Sequence, residues 1–590
     1  MNSELGVRQF ARLNFDFNRS FQTVEIPLVH ITHPSGGSAD ILPSAITDNP
    51  NPAVVDAPAY QDVRVKSVRI LGLAPGDLLE YRVITTTTRH PLAPDFWLDH
   101  TFDRSGIVTQ ELFSFDFPTS RNPEIRIGPT TPVTSTNQSG VGEAARTEYF
   151  WDMPMSPSTN ESSRVEADIS LSTEPWEVLS IRLDLLLSLG TKSTRDLSKL
   201  NQSVEEAGRR EVAPEIAAKA LELTKKAAND RQRLEDLYDF VSQKITTVDL
   251  PLGATGFATR PAKEVLASGY ATPEDKFSLF AALTAAVKLS AGAALTGFCD
   301  STAPAQPVLF KHLMISAYDG TKNLWLDPSL EVAPFGVVPP NSGTCAFVLN
   351  WRFHEMNSTG HEWKPLKIKQ PFPSVQKVLV NAHLDMEGAL SAKVRYTLRG
   401  DNELLLRVAF HKTPKEKWKE VAQLLAISDG FRGEIVNVTA SDPYATKEPF
   451  AVEYEIIQPK FIDWSKKPFR IPALLPLPGL PDIVSSARAS TSNKPIDLGT
   501  PLEIELNNTI QLPEGTTAQA PTGTSVERDY ATFSSEYSAQ GNTLHATRKL
   551  HFISREIPAT RASDLNAFLH AVEADQTQLF TLQRSGAAVK

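Results

Sequence analysis

The sequence predicts an α+β chain of several domains, β-rich toward both ends with a helical and mixed segment between them. Three observations carry this. Apolar residues alternate with a period of two through residues 1–165 and again through 375–560, the pattern of half-buried strands. Between them, apolar residues fall at helical spacing. The length, 590 residues, gives three or four domains at roughly 100–200 residues each.

At the N-terminus, Val7, Phe10, Leu13, Phe15 and Phe17 read as a strand that begins almost at once. Met1-Asn-Ser-Glu-Leu-Gly has neither the basic nor the apolar region of a secretory signal. The expectation is a chain lacking its natural start, with an edge strand near Val7 to Phe17 unpaired on one side. Val63, Val65, Val68 and Ile70 alternate before a Pro75-Gly76-Asp77 turn, and Leu79, Tyr81 and Val83 follow. Ser35 to Pro58 reads as a long loop and Thr130 to Ala145 as a linker. Residues 1–165 are therefore expected to form an N-terminal β-sandwich.

Residues 166–365 are expected to form a core domain. Trp176, Leu179, Ile181, Leu183 and Leu186 open a helical region. Leu234, Leu237, Tyr238, Val241 and Ile245 form an apolar helical stripe, which is core packing. Short strands follow from Leu295 to Phe347. Residues 366–590 are expected to be β-rich, with one short helix at Lys415 to Leu425 and a closing helix at Asp564 to Leu582. Five prolines from Pro468 to Pro481 mark an extended connector, dividing this region near 466–490.

Composition excludes several classes. Apolar residues make up 41% and charged residues 22%, an ordinary globular profile. The net charge is −10, from 59 basic and 69 acidic residues, and no basic stripe stands out for nucleic acid. No apolar run approaches the length that crosses a bilayer. Two cysteines, Cys299 and Cys345, make neither a disulfide framework nor a zinc site. They read as inert, partly buried thiols, with one disulfide between them as the alternative and a nucleophilic role as the least expected. No cofactor or metal is expected.

One constellation could carry chemistry. Residues 311–318 and 323–328 alternate like strands around an Asp319-Gly320 turn. A hairpin centred between Asp319 and Gly320 sets His312 across from Asp327. A carboxylate there would fix the imidazole tautomer and leave its other nitrogen as a base. On spacing alone, a plain structural pair is the stronger reading.

Phe257 to Lys276, with Pro261-Ala-Lys-Glu-Val265-Leu266 and Tyr270-Ala-Thr-Pro273-Glu-Asp275-Lys276, resembles the lead-in of bacterial transglutaminase-like cores. Lys311-His312 resembles that family's histidine strand, and Trp325-Leu-Asp327-Pro328 its aspartate strand. Tyr60 to Val83 is similar to a β-rich domain of unknown function that precedes such cores. The resemblance covers residues 5–345 and implies a papain-like, transglutaminase-type core at about 215–345, with C-terminal β domains beyond. It also implies a periplasmic or surface setting, which the N-terminus does not support.

The departure from the family pattern is Pro273, which falls on the nucleophilic cysteine. Thr272-Pro273-Glu274-Asp275 reads instead as a helix start: an N-cap threonine, proline at the first position and acids in the first turn. The predicted helix runs from Pro273 to about Leu289. Thr272 is a candidate substitute nucleophile, but capping is its stronger role. The expectation is a degenerate core with a His312/Asp327 remnant, a non-catalytic protein holding peptide, protein or glycan. The alternative is an acyl transferase, amidase or peptidase using Thr272.

Overall fold

The structure, a computed structural model, describes residues 1–93, 95–103, 107–128, 135–154, 169–173, 179, 182–183, 186–187, 212–298, 310–339, 344–349, 364–366, 368, 370–475 and 495–584. The chain divides into two compact units. The first holds residues 1–324 and 343–366, and the second holds 325–342 and 367–590.

The chain opens with a helix, α1 (Glu4–Phe10), where a strand was expected. Ser3 caps it by accepting from Gly6 N–H, and Glu4 sits in its first turn, where the helix dipole favours an acid. Val7 and Phe10, three apart, pack one helix face on the core of Leu13, Ile31 and Val68. The first strand is β1 (Arg12–Asn18). Next come β2 (Gln22–Thr32), β3 (Ser38–Asp40), β4 (Ile46–Pro50), β5 (Val63–Arg69) and β6 (Leu78–Thr87). They make two three-stranded sheets, β1-β5-β4 and β3-β2-β6, which share that core. β1 lies at a sheet edge, and the expected loop at 35–58 contributes β3 and β4.

A second pair of sheets follows, built from β7 (Trp97–His100), β8 (Gln110–Pro118), β9 (Glu124–Ile127), β10 (Ser135–Ser139), β11 (Arg146–Pro154) and β12 (Ile169–Ser172). Their orders are β10-β11-β8 and β7-β12-β9, around buried Trp151 and Ile169. The N-terminal region is thus two small paired-sheet packs, each with its own apolar cluster, where a single sandwich was expected. β10 occupies part of the expected linker.

Helices α2 (Pro214–Thr224) and α3 (Asp230–Lys244) come next. On α3 the predicted stripe of Leu234, Leu237, Tyr238 and Val241 is buried. Of the helical opening predicted from Trp176, Leu179, Leu183 and Leu186 are buried, while Trp176 and Ile181 lie outside the described residues. β13 (Thr246–Thr247) pairs in parallel with β14 (Tyr270–Ala271) across α4 (Ala262–Ser268). Helix α5 (Pro273–Ala286) packs on α2, α3 and α4 and against β15 (Ala291–Phe298) and β16 (His312–Tyr318). With β17 (Asn323–Leu326), β18 (Thr344–Leu349) and β19 (Lys364–Pro365), these strands form a sheet of order β17-β16-β15-β18-β19.

The second unit opens its sheet with β20 (Ser374–Leu384) and β21 (Leu390–Arg399). Helices α6 (Asp401–Lys412) and α7 (Trp418–Ser428) follow. Sequence alternation had left α6 unseen; Glu403 caps it by accepting from Gly400 N–H at 3.0 Å. The remaining strands are β22 (Glu434–Ala440), β23 (Phe450–Gln458), β24 (Phe469–Pro472), β25 (Ile496–Asp497), β26 (Leu502–Gln511), β27 (Thr516–Gln519), β28 (Ser525–Glu527), β29 (Ala531–Gln540), β30 (Thr543–Phe552), β31 (Glu556–Ile557) and β32 (Leu579–Arg584). Six of these join β20 and β21 in one eight-stranded sheet, β22-β23-β21-β20-β26-β30-β29-β28, whose centre is the parallel β20–β26 pair. In β20 every second residue is fully or nearly buried, so one face is core.

The expected connector begins with a strand, β24, paired with β32, and residues 476–494 lie outside the described residues. The closing helix α8 (Ala562–Gln576) stops earlier than predicted. Leu579 to Arg584 alternates in burial and forms β32. Among the described residues, no helix is long and apolar enough to cross a membrane.

A buried carboxylate ties α7 to the sheet. Asp429 caps the end of α7, and its two oxygens accept from the Tyr396 and Tyr454 hydroxyls. Burial pushes its carboxyl up to about 6, against the pull of the two tyrosine hydrogen bonds. A raised acid favours the protonated fold. The stabilisation is therefore complete below the unfolded value near 3.8 and is lost as pH rises through about 6. That window is worth on the order of 2–3 kcal/mol. Asp429→Asn does not titrate, so its denaturant-measured stability should fall less than that of the wild type across the window. Parallel pH profiles for the two proteins would refute this.

Candidate functional site

The helix start at residue 273 is fixed from both sides in sequence. Gly269 ends α4 with φ +73°, a left-handed cap that suits glycine. Two residues of β14 then deliver Thr272, which is extended and 1% exposed. Its Oγ1 accepts from Asp275 N–H at 3.4 Å, and its carbonyl accepts from Lys276 N–H at 2.9 Å. Pro273 occupies the first helical position, where no N–H is needed. The predicted cap and helix start are both present. The helix ends at Ala286, a few residues before the expected Leu289.

Asp275, 2% exposed, gathers the polar contacts of the site. Its Oδ1 accepts from Arg260 N–H at 2.8 Å, and its Oδ2 from Arg260 Nε at 2.6 Å and from the Tyr60 hydroxyl. Tyr60 Oη in turn accepts from Thr272 N–H at 3.0 Å. The Arg260 guanidinium lies 4.6 Å from the Tyr60 ring centroid and 5.0 Å from that of Tyr270, and donates to Tyr270 O at 2.6 Å. Burial and then the Asp275 charge push the Tyr60 hydroxyl pKa far up. Burial opposes the Arg260 charge, but Tyr60 and Asp275 outweigh it and hold the guanidinium above its usual value.

Glu274, 1% exposed, turns the other way and accepts from Gly253 N–H at 2.9 Å. Burial pushes its carboxyl up. A residue that the family resemblance aligns with a lysine therefore holds the 251–257 segment against the helix start.

His312 begins β16, half-buried, with Thr296 as its Cα partner in β15. Thr272, Pro273 and His312 all belong to the first unit, and α5 packs on the strand that carries His312. Asp327 falls in the second unit. It is buried, and its Oδ1 accepts from Ser329 N–H at 3.1 Å and Ser329 Oγ at 2.5 Å, capping the turn Pro328–Leu330. The hairpin turn closes later than the sequence suggested. Asp319 N–H donates to Lys322 O at 3.1 Å, so the centre lies between Gly320 and Thr321.

Cys345 is 2% exposed on β18 and disulfide-bonded, so it is not the inert thiol first expected; Cys299 lies outside the described residues. Sequence reasoning also missed Tyr60, Arg260 and Glu274 as site residues. Arg260 and Glu274 stand within the motif region and were legible there. Tyr60 comes from a different sheet region, 215 residues before Asp275.

Comparison with known proteins gives three findings. Residues 1–158 match the Domain of Unknown Function DUF3857, and residues 475–582 match the Domain of Unknown Function DUF3858. A crystal structure of a "putative protease" from Parabacteroides distasonis is similar in fold, with a TM-score of 0.57 at 14% identity. The match covers 98% of this chain and 94% of that one. No curated protein matches the chain.

Removing the anchors of Asp275 should cost stability in a defined order. Arg260→Met leaves a buried carboxylate without its cation and should cost about 3–5 kcal/mol. Tyr60→Phe removes one hydrogen bond to Asp275 and the acceptor of Thr272 N–H, for about 1–3 kcal/mol. Thr272→Ala should cost about 1 kcal/mol. Thermal melts of the three variants would test the ranking; Thr272→Ala more damaging than Arg260→Met would refute it.

Proposed function

We propose that residues around 215–345 form a transglutaminase-type, papain-like core that has lost its nucleophile, and that the chain is a non-catalytic binding or scaffold protein for peptide or glycan. The observation that supports this is the helix start. Pro273 carries no nucleophilic atom, and its Thr272 neighbour is buried with its hydroxyl engaged as a cap. In this reading His312 and Asp327 are the remnant of the family's triad by motif order. The Cys345 disulfide fits an exported, periplasmic or surface setting, where such bonds persist.

The second reading is an amidase, acyl transferase or peptidase using Thr272; the structure of similar fold is named a "putative protease". For that, Thr272 would have to give up its cap and reach solvent.

The purified chain should turn over neither peptide nor amide substrates. In Pro273→Cys, the new thiol should titrate below the roughly 8.5 of a free cysteine, because a helix N-terminus and a nearby imidazole favour the thiolate. Alkylation of residue 273 against pH, read by mass spectrometry beside Pro273→Cys/His312→Ala, measures this. A thiol that titrates like a free cysteine in both proteins would sink the assignment of residue 273. Turnover by the wild type, lost in Thr272→Val, would establish the enzyme reading.

A further inference from the structure

We propose that a cavity beside the helix start binds the C-terminal residue of a peptide, seating an aromatic or large aliphatic side chain among its rings and the carboxylate at Lys311. The proposal rests on the non-catalytic binding reading and names the ligand class for it. The cavity lies wholly within the first unit. His90 and Trp97 wall one side, from the N-terminal sheet region. Leu252, Gly253 and Phe257 wall the other, and Phe310 and Lys311 close it just before His312.

Its size and lining select the ligand. The volume is about 390 Å³, toward the small end of the roughly 300–1,000 Å³ of ligand pockets. That suits one residue and not a polymer. His90 stands edge-on to Trp97 with centroids 5.5 Å apart, and Phe257 and Phe310 are 5% and 4% exposed. Burial holds the His90 imidazole down at about 4, so it is neutral at neutral pH. Lys311 is exposed and, among the described residues of the lining, supplies the charge; its ammonium also acts on Asp99. A sugar ring needs several hydrogen-bonding side chains around a stacking face. Among the described residues of the lining, polar side-chain atoms come from His90, the Trp97 indole N–H and Lys311, so a largely apolar group with one negative charge fits better.

The wall at 251–257 is preformed. Gly253 has φ +81°, and a Cβ there would lie 2.6 Å from the Phe257 ring. Gly256 has φ +74°, with a Cβ position 2.7 Å from Pro91. Phe257 itself has φ +64°, a conformation that costs a bulky residue energy and persists only where the surroundings impose it. Two hydrogen bonds help impose it: Gly253 N–H to Glu274 at 2.9 Å, and Asn18 Nδ2 to Ala254 O at 2.9 Å. Glu274 follows Pro273 directly. The helix start that lacks a nucleophile is thus the one that positions this wall.

The test titrates the full chain with N-acetyl-phenylalanine, its amide and chitotriose by calorimetry. The acid should bind saturably, the amide about tenfold more weakly for want of the charge-assisted contact, and the trisaccharide not at all. Leu252→Trp, at a half-buried position, should fill the cavity and abolish binding with an unchanged melting temperature. Lys311→Met should bring the acid down to the amide's level. No binding of the acid, equal binding by wild type and Leu252→Trp, or equal affinity for acid and amide would each overturn the proposal. A phenylalanine-terminated peptide is analysed before and after incubation. Release of phenylalanine would overturn the non-catalytic reading while leaving the cavity assignment standing. Absence of binding without release overturns the cavity assignment alone.

Discussion

The buried Asp275 carboxylate, held by Arg260 and Tyr60, is the contact on which the first unit's site depends. A carboxylate removed from water costs several kcal/mol unless a cation and hydrogen bonds replace its hydration. Here one arginine supplies both a backbone and a side-chain N–H, and a tyrosine from the N-terminal sheets supplies a hydroxyl. The same tyrosine oxygen takes the N–H of Thr272. A single cluster therefore fixes the helix start, the strand before it and the seam with the N-terminal β region. The second unit meets the same problem at Asp429 and Asp575, as at Glu403 between Arg399 and Arg407. Asp429 is held by two tyrosines, and Asp575 by Arg548 at 3.0 Å with Ser535 and Tyr537.

The helix N-terminus is occupied by two buried acids. The dipole that would favour a thiolate meets Glu274 and Asp275, each already committed to a partner. Asp275 faces Arg260 and locks the seam, while Glu274 faces Gly253 and shapes a loop. Both carboxylates are buried, so neither is a free acid or base at a solvent-filled cleft.

Legibility in the sequence followed the range of the forces. The Thr272-Pro273 start was readable because caps act over three or four residues, and the α3 stripe because burial repeats every turn. Val7 and Phe10 were misread because they run on, in number, into the true alternation of Leu13, Phe15 and Phe17. The Ser3 cap and Glu4 were the signal that a helix came first. Helix α6 was hidden between strongly alternating strands, although Leu404 and Phe410 mark its buried face. At the other end, Phe580 and Leu582 alternate and belong to a strand that a helix prediction had absorbed. Tyr60 had no local signature at all; its role exists only once two distant segments meet.

The His312 hairpin shows how finely such readings depend on turn chemistry. An Asp-Gly pair suggested a two-residue turn, but Asp319 spends its carboxylate on its own backbone. Its Oδ1 accepts from Thr321 N–H and Oγ1 and from Lys322 N–H, closing a longer turn. Those bonds, with Arg231, hold the Asp319 carboxyl down at about 2 against its burial. Moving the turn's centre by one residue moves the facing positions by two along the partner strand.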